Sequence, residues 1–145
     1  MKIAVGSDHR GFNLKCYLKN ILSEEGHEIL DFGCSLDTSS VDYPDFTKLV
    51  VEALMKCEVE RGILICATGI GMCMTANKFR GVRAATVNDL FTARLSRLHN
   101  DANVLCLGSE VVGQGLAEEI VKVWLTTPFA NEERHLRRIE KMEAF

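Results

Sequence analysis

The sequence predicts an α/β protein: a three-layer α/β/α sandwich on a five-stranded parallel sheet of Rossmann-like type, with an added C-terminal helix. Two observations lead there. Five short, nearly continuous apolar runs alternate with segments of helical periodicity, the pattern of strands covered on both faces. Chemically loaded turns cluster around the strand ends, and open sheets of this kind bind ligands beyond their carboxyl ends. A chain of 145 residues, 47% hydrophobic and 26% charged, is long enough to bury a full core as one domain over 1–145.

Each element follows from its residues. "KIAVG" (2–6) is a short apolar run and predicts a buried strand. Over 11–26, Phe12, Leu14, Leu18, Ile21 and Leu22 recur at helical spacing, and Gly26 stops the helix. "HEILDFG" (27–33) is the second strand. A polar loop over 34–44 leads to Pro44, which opens a helix over 45–57. "RGILICA" (61–67) is strand three, and the helix after its turn runs to about residue 79. "GVRAATV" (81–87) and "ANVLCLG" (102–108) are strands four and five, with a helix near 88–98 between them. A helix over 113–126 follows, Pro128 breaks the pattern, and 131–143 forms the last helix. The strand order two-one-three is natural, while the order of four and five stays open.

Composition excludes several classes. A net charge of −3 and a pI near 5.8 argue against nucleic-acid or anionic-membrane partners. No apolar run approaches the roughly 20 residues of a membrane span. The N-terminus turns polar at Ser7 and Asp8, which is unlike a signal peptide, so the expected location is cytoplasmic. The six cysteines (16, 34, 57, 66, 73 and 106) form no CxxC pair and are expected as reduced thiols. No clustered Cys/His set suggests a metal, and none is expected.

Three segments carry chemistry. "SDHRG" puts Ser7, Asp8 and His9 on a βα turn, where they can hydrogen-bond a sugar or phosphate; Asp8 or Ser7 simply capping the helix is an equal alternative. "CATGIGM" ends a strand in Cys66, followed by Gly69 and Gly71 and a helix start. Glycines let backbone approach a ligand, and a helix N-terminus favours negative charge. Cys66 is either a small core residue or a thiol poised beside that cradle. No Gly-Lys-Ser/Thr follows, so this is not a nucleotide-phosphate loop. Cys73, inside the helix, reads as packing. "RLHND" holds His99, Asn100 and Asp101; on spacing alone His99 is a capping or core residue. It lies at the wrong end of its strand for its own subunit's site, which suggests service to a neighbouring subunit. In the tail, Arg134, Arg137, Arg138 and Lys141 share one helix face, with Leu136 and Ile139 opposite. Arg134 and Arg138 fit a phosphate clamp or a solvated face paired with glutamates equally well.

Taken together, "GSDHRG", "DYPD", "ILICATGIGM", "ANKFRGVRAA", "LSRLHNDANVL" and "RHLRR" resemble the ribose-5-phosphate isomerase B family, which includes galactose- and allose-6-phosphate isomerases. The collinear match spans nearly the whole chain. It implies an aldose–ketose isomerase working through an enediolate, without metal or organic cofactor, whose sites are shared by two subunits of a homodimer, with the C-terminal helix at the interface. Pairing of dimers into a tetramer stays open. Carried over by position, the resemblance makes Cys66 the base moving a proton between C1 and C2, with Thr68 holding the thiol. The N–H groups of Gly69, Ile70 and Gly71 stabilise the enediolate oxygen. Asp8 and His99 serve ring opening, Tyr43 and Asn100 contact the sugar, and His9, Arg134 and Arg138 hold the phosphate. Some members use a glutamate base where this chain has Met72, which leaves the thiol. A positioned base beside a preorganised anion site is what a weakly acidic α-proton requires.

Two departures stand out. Ala67 occupies a position where glycine is frequent, and Glu110 one where many relatives carry a phosphate-binding arginine. The substrate is therefore open between ribose 5-phosphate, a six-carbon sugar phosphate and a free sugar. From another class, a flavodoxin-like binding module would show the same alternation, but a receiver would need an acidic residue where Cys66 stands.

Overall fold

A computed structural model of the chain describes residues 1–35 and 39–145; part of the predicted 34–44 loop lies outside them. The strands are β1 (Lys2–Ser7), β2 (Glu28–Asp31), β3 (Arg61–Cys66), β4 (Ala84–Thr86) and β5 (Val104–Gly108). The helices are α1 (Phe12–Glu24), α2 (Tyr43–Met55), α3 (Ile70–Ala76), α4 (Leu90–Leu98), α5 (Gln114–Thr126) and α6 (Glu133–Glu143). All pairings are parallel and the order is β2-β1-β3-β5-β4. The expected α/β class is borne out, and the open question at the edge is resolved with β5 inside and β4 outside.

Strand alternation sorts the core into two layers. Ile3, Val5, Ile63, Ile65, Leu105 and Leu107 face α1, α4 and α5, where Trp124 is wholly buried. Ala4, Leu64, Cys66, Val104 and Cys106 face α2 and α3. Helices α1 and α3, which follow adjacent strands β1 and β3, thus lie on opposite faces, and the crevice opens between those strands at their carboxyl ends.

Several elements end earlier than periodicity predicts, because side chains take over backbone partners. β4 begins at Ala84 since Asn103 Oδ1 accepts from Arg83 N–H at 2.8 Å and Asn77 Oδ1 accepts from Ala84 N–H at 2.8 Å. α3 stops at Ala76 rather than near 79. After β2, Asp31 accepts from Gly33 N–H and from Lys15 Nζ, a buried ammonium that also donates to Cys34 O. α4 is capped by Asp89, whose Oδ1 accepts from Thr92 N–H at 2.7 Å.

The C-terminal helix does not pack as its apolar stripe suggests. Leu136 is exposed and Ile139 only half-buried; the buried residue of α6 is His135. α6 sits on the end of α4 instead of on the sheet, tied by Ala130 N–H to Leu98 O and by Glu143 to Arg83. Among the described residues no helix is long and apolar enough to cross a membrane.

Candidate active site

Cys66 ends β3 on the α2/α3 face and is nearly buried. Its Sγ accepts the Gly69 N–H at 3.1 Å. This bond needs the chain to fold back within three residues, which Gly69 does at φ +76°; a Cβ there would also lie 3.0 Å from the Leu107 backbone. Thr68 Oγ1 accepts from Ile70 N–H at 3.3 Å. The first bond of the α3 ladder runs from Cys73 N–H to Gly69 O, so the N–H groups before it precede the ladder at the helix start. Tyr43, at the start of α2, lies against Gly71, where a Cβ would be 2.6 Å from its ring. Only glycine lets the phenol sit against the turn.

β1 delivers its turn beside this one, with Asp8 N–H on Ile65 O at 3.3 Å. Asp8 is buried, and its Oδ1 accepts from Arg10 and Gly11 N–H, both at 3.0 Å. Part of the capping alternative is therefore realised: one carboxylate oxygen holds the turn, and Oδ2 remains for a ligand. His9 Nδ1 accepts from Val41 N–H at 3.3 Å, leaving Nε2. The structure thus brings together Asp8, His9, Tyr43, Cys66, Thr68, Gly69, Ile70 and Gly71.

His99, Asn100, Arg134 and Arg138 lie elsewhere. α4 leaves the carboxyl side at Asp89 and runs nine residues to its C-cap His99, on the order of 14 Å along its axis. There the His99 ring stacks on His135, centroids 4.3 Å apart and planes 13° apart. Arg134 and Arg138 flank His135 on α6, both exposed, and Arg134 pairs with Glu132 at 2.7 Å. Asn100 borders a cavity of about 430 Å³ between Phe79, Arg83 and Met142. Cys66 is not among the residues that line it. Around Cys66 the surface is open: Ile70 is 56% exposed and Tyr43 38%.

Two further residues lie beside these two groups of side chains. Glu110 is salt-bridged to Arg10, the residue after His9, beside a groove also lined by Asn13 and Ser109. Nothing local in the sequence pairs positions 100 apart. His135 escaped the sequence reading because it sits within an arginine-rich segment; its signal is a histidine inside "RHLRR". Its Nε2 has no hydrogen-bond partner among the described residues. Burial, then the neighbouring His99 and Arg134, hold its pKa below the usual histidine range, with Glu132 opposing and Arg138 adding. An unfolded histidine titrates near pH 6.5, so the unfolded chain binds the proton first, and stability falls as pH drops below about 6.5 toward the folded value. Melting temperatures across about pH 5 to 8 are expected to show this loss on the acid side. His135→Phe, which keeps a ring on His99, is expected to reduce it; an unchanged acid limb would assign the loss to other groups.

The Cys66 turn and the Asp8–His9 turn thus stand at adjacent strand ends, with the glycine turn between Cys66 and α3. The ribose/galactose isomerase family model matches residues 3–142. The chain belongs to that family. It is 45% identical to ribose-5-phosphate isomerase B of Escherichia coli over 99% of this chain and 95% of that protein. It is 37% identical to D-erythrulose-4-phosphate isomerase of Pectobacterium atrosepticum, over 89% and 85% of the two. Among solved structures, ribose-5-phosphate isomerase B of Clostridium thermocellum superposes with a TM-score of 0.95 at 48% identity, covering 99% of this chain and 96% of that one.

Proposed function

We propose that the protein is a cofactor-independent aldose–ketose isomerase interconverting ribose 5-phosphate and ribulose 5-phosphate through an enediolate, with Cys66 as general base. The observation that carries this is the Cys66 sulfur held by the Gly69 N–H at the mouth of the β1–β3 crevice. Thiolate Sγ takes the proton from C2 of the open-chain aldose. The electron pair moves to the C1 oxygen, where the Gly71 N–H at the helix start receives the developing charge, the Gly69 N–H staying on the Cys66 sulfur and the Ile70 N–H on Thr68. The 2-hydroxyl proton passes to the C1 oxygen and the thiol returns its proton to C1, which leaves a carbonyl at C2 and a hydroxyl at C1. Tyr43, against Gly71, contacts the sugar, and His9 meets the phosphate.

One chain does not close this site, because His99, Asn100, Arg134 and Arg138 sit at the far end of α4. We read the active form as a homodimer in which these residues serve the partner's cysteine, His99 acting with Asp8 in ring opening and the arginines holding phosphate. Exposed Ile70 and Met74 on α3, with Leu90 and Phe91 starting α4, form an apolar surface beside the edge strand that suits a second copy. The test is a panel of pentose and hexose phosphates and free sugars, each assayed with and without chelator. Ribose 5-phosphate is expected to give the highest kcat/KM, unchanged by chelation. A preference for another sugar, or loss on chelation, overturns that part of the reading.

The Glu110 departure has a physical answer in Arg10. Their exposed pair neutralises a guanidinium that would otherwise add to the phosphate field next to His9. Glu110→Gln is expected to lower KM for ribose 5-phosphate by about threefold, the worth of an exposed charge pair, with kcat unchanged. Initial rates on both proteins check it, and an unchanged KM would place the pair outside the phosphate's reach.

A further inference from the structure

Three thiols converge beneath α3, and the isomerase chemistry uses one of them. The register pairing Leu64 with Cys106 puts the Cys106 side chain on the same sheet face as Leu64 and Cys66. Cys106 is wholly buried, and Cys73 packs from the middle of α3 against the cluster that holds it. Cys73 is only half-buried, so its sulfur keeps a route to solvent for a small molecule. Polar groups ring that sulfur: Asn77 Nδ2 donates to it at 3.5 Å, and as a thiol it donates to Ala84 O at 3.4 Å. The Cys106 hydrogen bond first, then Thr86 and Asn77, hold Cys73 down to about 6 against its burial, while burial and Cys73 push Cys106 well up. The two sulfurs are thus pulled in opposite directions, Cys73 toward its thiolate and Cys106 toward its thiol. This is the asymmetry of an attacking and a resolving thiol.

We propose that Cys73 and Cys106 are a redox couple: a hydroperoxide oxidises Cys73, and Cys106 resolves it to an intramolecular disulfide. In the first step the Cys73 thiolate attacks the terminal peroxide oxygen. The S–O bond forms as O–O breaks, giving a sulfenic acid, and the departing oxide takes a proton to become water or an alcohol. In the second step the Cys106 sulfur attacks the Cys73 sulfur. The S–S bond forms, S–O breaks, and the Cys106 proton leaves with the hydroxyl as water. Two thiols lose two electrons and the peroxide gains them. A dithiol reductant reverses the couple by exchange.

The consequence falls on the glycine turn. A packed sulfur pair becomes a bond of about 2.05 Å, which draws the middle of α3 toward β5 and away from Ala84 O. α3 begins at Ile70, directly after the glycine that holds Cys66. Oxidation is therefore expected to depress the activity of the turn, and reduction to restore it.

The experiment treats the full chain with hydrogen peroxide, blocks free thiols, and maps peptides without reduction. The expected product is a linked pair of Cys73 and Cys106 peptides lacking two hydrogens, with Cys66 still blocked as a free thiol. Cys106→Ser, under the same treatment, is expected to carry Cys73 onward to sulfinic acid. Cys73→Ser is expected to keep its untreated activity and to resist peroxide, whereas wild-type protein loses activity and regains it with dithiothreitol. Oxidation of Cys66 ahead of Cys73, a different cysteine pairing, or equal peroxide sensitivity in Cys73→Ser overturns the proposal. The peptide map reads thiol chemistry whether or not the isomerase reading holds, so the two fail separately.

Discussion

Cys66→Ala is expected to lower kcat by about 10²–10⁴-fold, the usual contribution of a positioned general base, while binding of the sugar phosphate is largely retained. The substitution removes the sulfur that accepts the Gly69 N–H, and leaves Cβ, the strand and the register intact. Cys66 is 5% exposed, so a small loss of packing accompanies it. A cost of about 1 kcal/mol in a domain of this size corresponds to roughly 2–4 °C in melting temperature. Activity and stability thus separate: a large kinetic loss beside a small thermal one. Cys73→Ala is the control. Its sulfur bonds Ala84, Asn77 and Cys106 instead of the turn, and its activity is expected to stay near wild type. A dead Cys73→Ala with an active Cys66→Ala would reverse the assignment of the base.

The second large effect is recovery of activity from two inactive proteins. His99→Asn is expected to slow turnover of the cyclic sugar by about 10²-fold while sparing substrate supplied in open-chain form, because its assigned work is ring opening, not transfer between carbons. Equal losses on both forms would refute that division. In a dimer sharing its sites, a Cys66→Ala subunit paired with a His99→Asn subunit carries one doubly damaged site and one intact site. Free exchange at equal concentrations makes half the dimers mixed, so activity is expected to return to about a quarter of wild type. No recovery, with exchange shown independently by a mass or fluorescence label, would mean that His99 and Cys66 act within one chain. The roughly 14 Å run of α4 between the two ends then needs another explanation.

Much of this was legible in sequence because it is local. Apolar runs of strand length, helical spacing in α1, and Gly69 and Gly71 after "ILIC" report conformations that neighbouring residues impose on each other. The Cys66 turn was visible for that reason, as was the mismatch between His99 and its own strand end. The separation of His99 from Cys66 followed from it: α4 has to carry its last residue away from the end where it began.

What only the tertiary structure decided depends on residues far apart in the chain. Whether β5 pairs with β3 or lies at the edge is settled by which apolar strand is covered on both faces; β5 is wholly buried, and three-residue β4 is half-exposed. Glu110 read as a lone negative charge until folding put Arg10 against it. The Leu136–Ile139 stripe suggested how α6 packs, yet the helix is anchored by His135 on His99 and Glu143 on Arg83, since the surface available to it is the end of another helix and not a sheet. Cys73 likewise read as packing in sequence; its thiol is held low chiefly because β5 places Cys106 beneath it, with Thr86 and Asn77 adding. Periodicity specifies which side of an element is apolar. Which partner that side meets is set by the packing of the whole chain, where one buried proton or one ion pair outweighs a weak stripe.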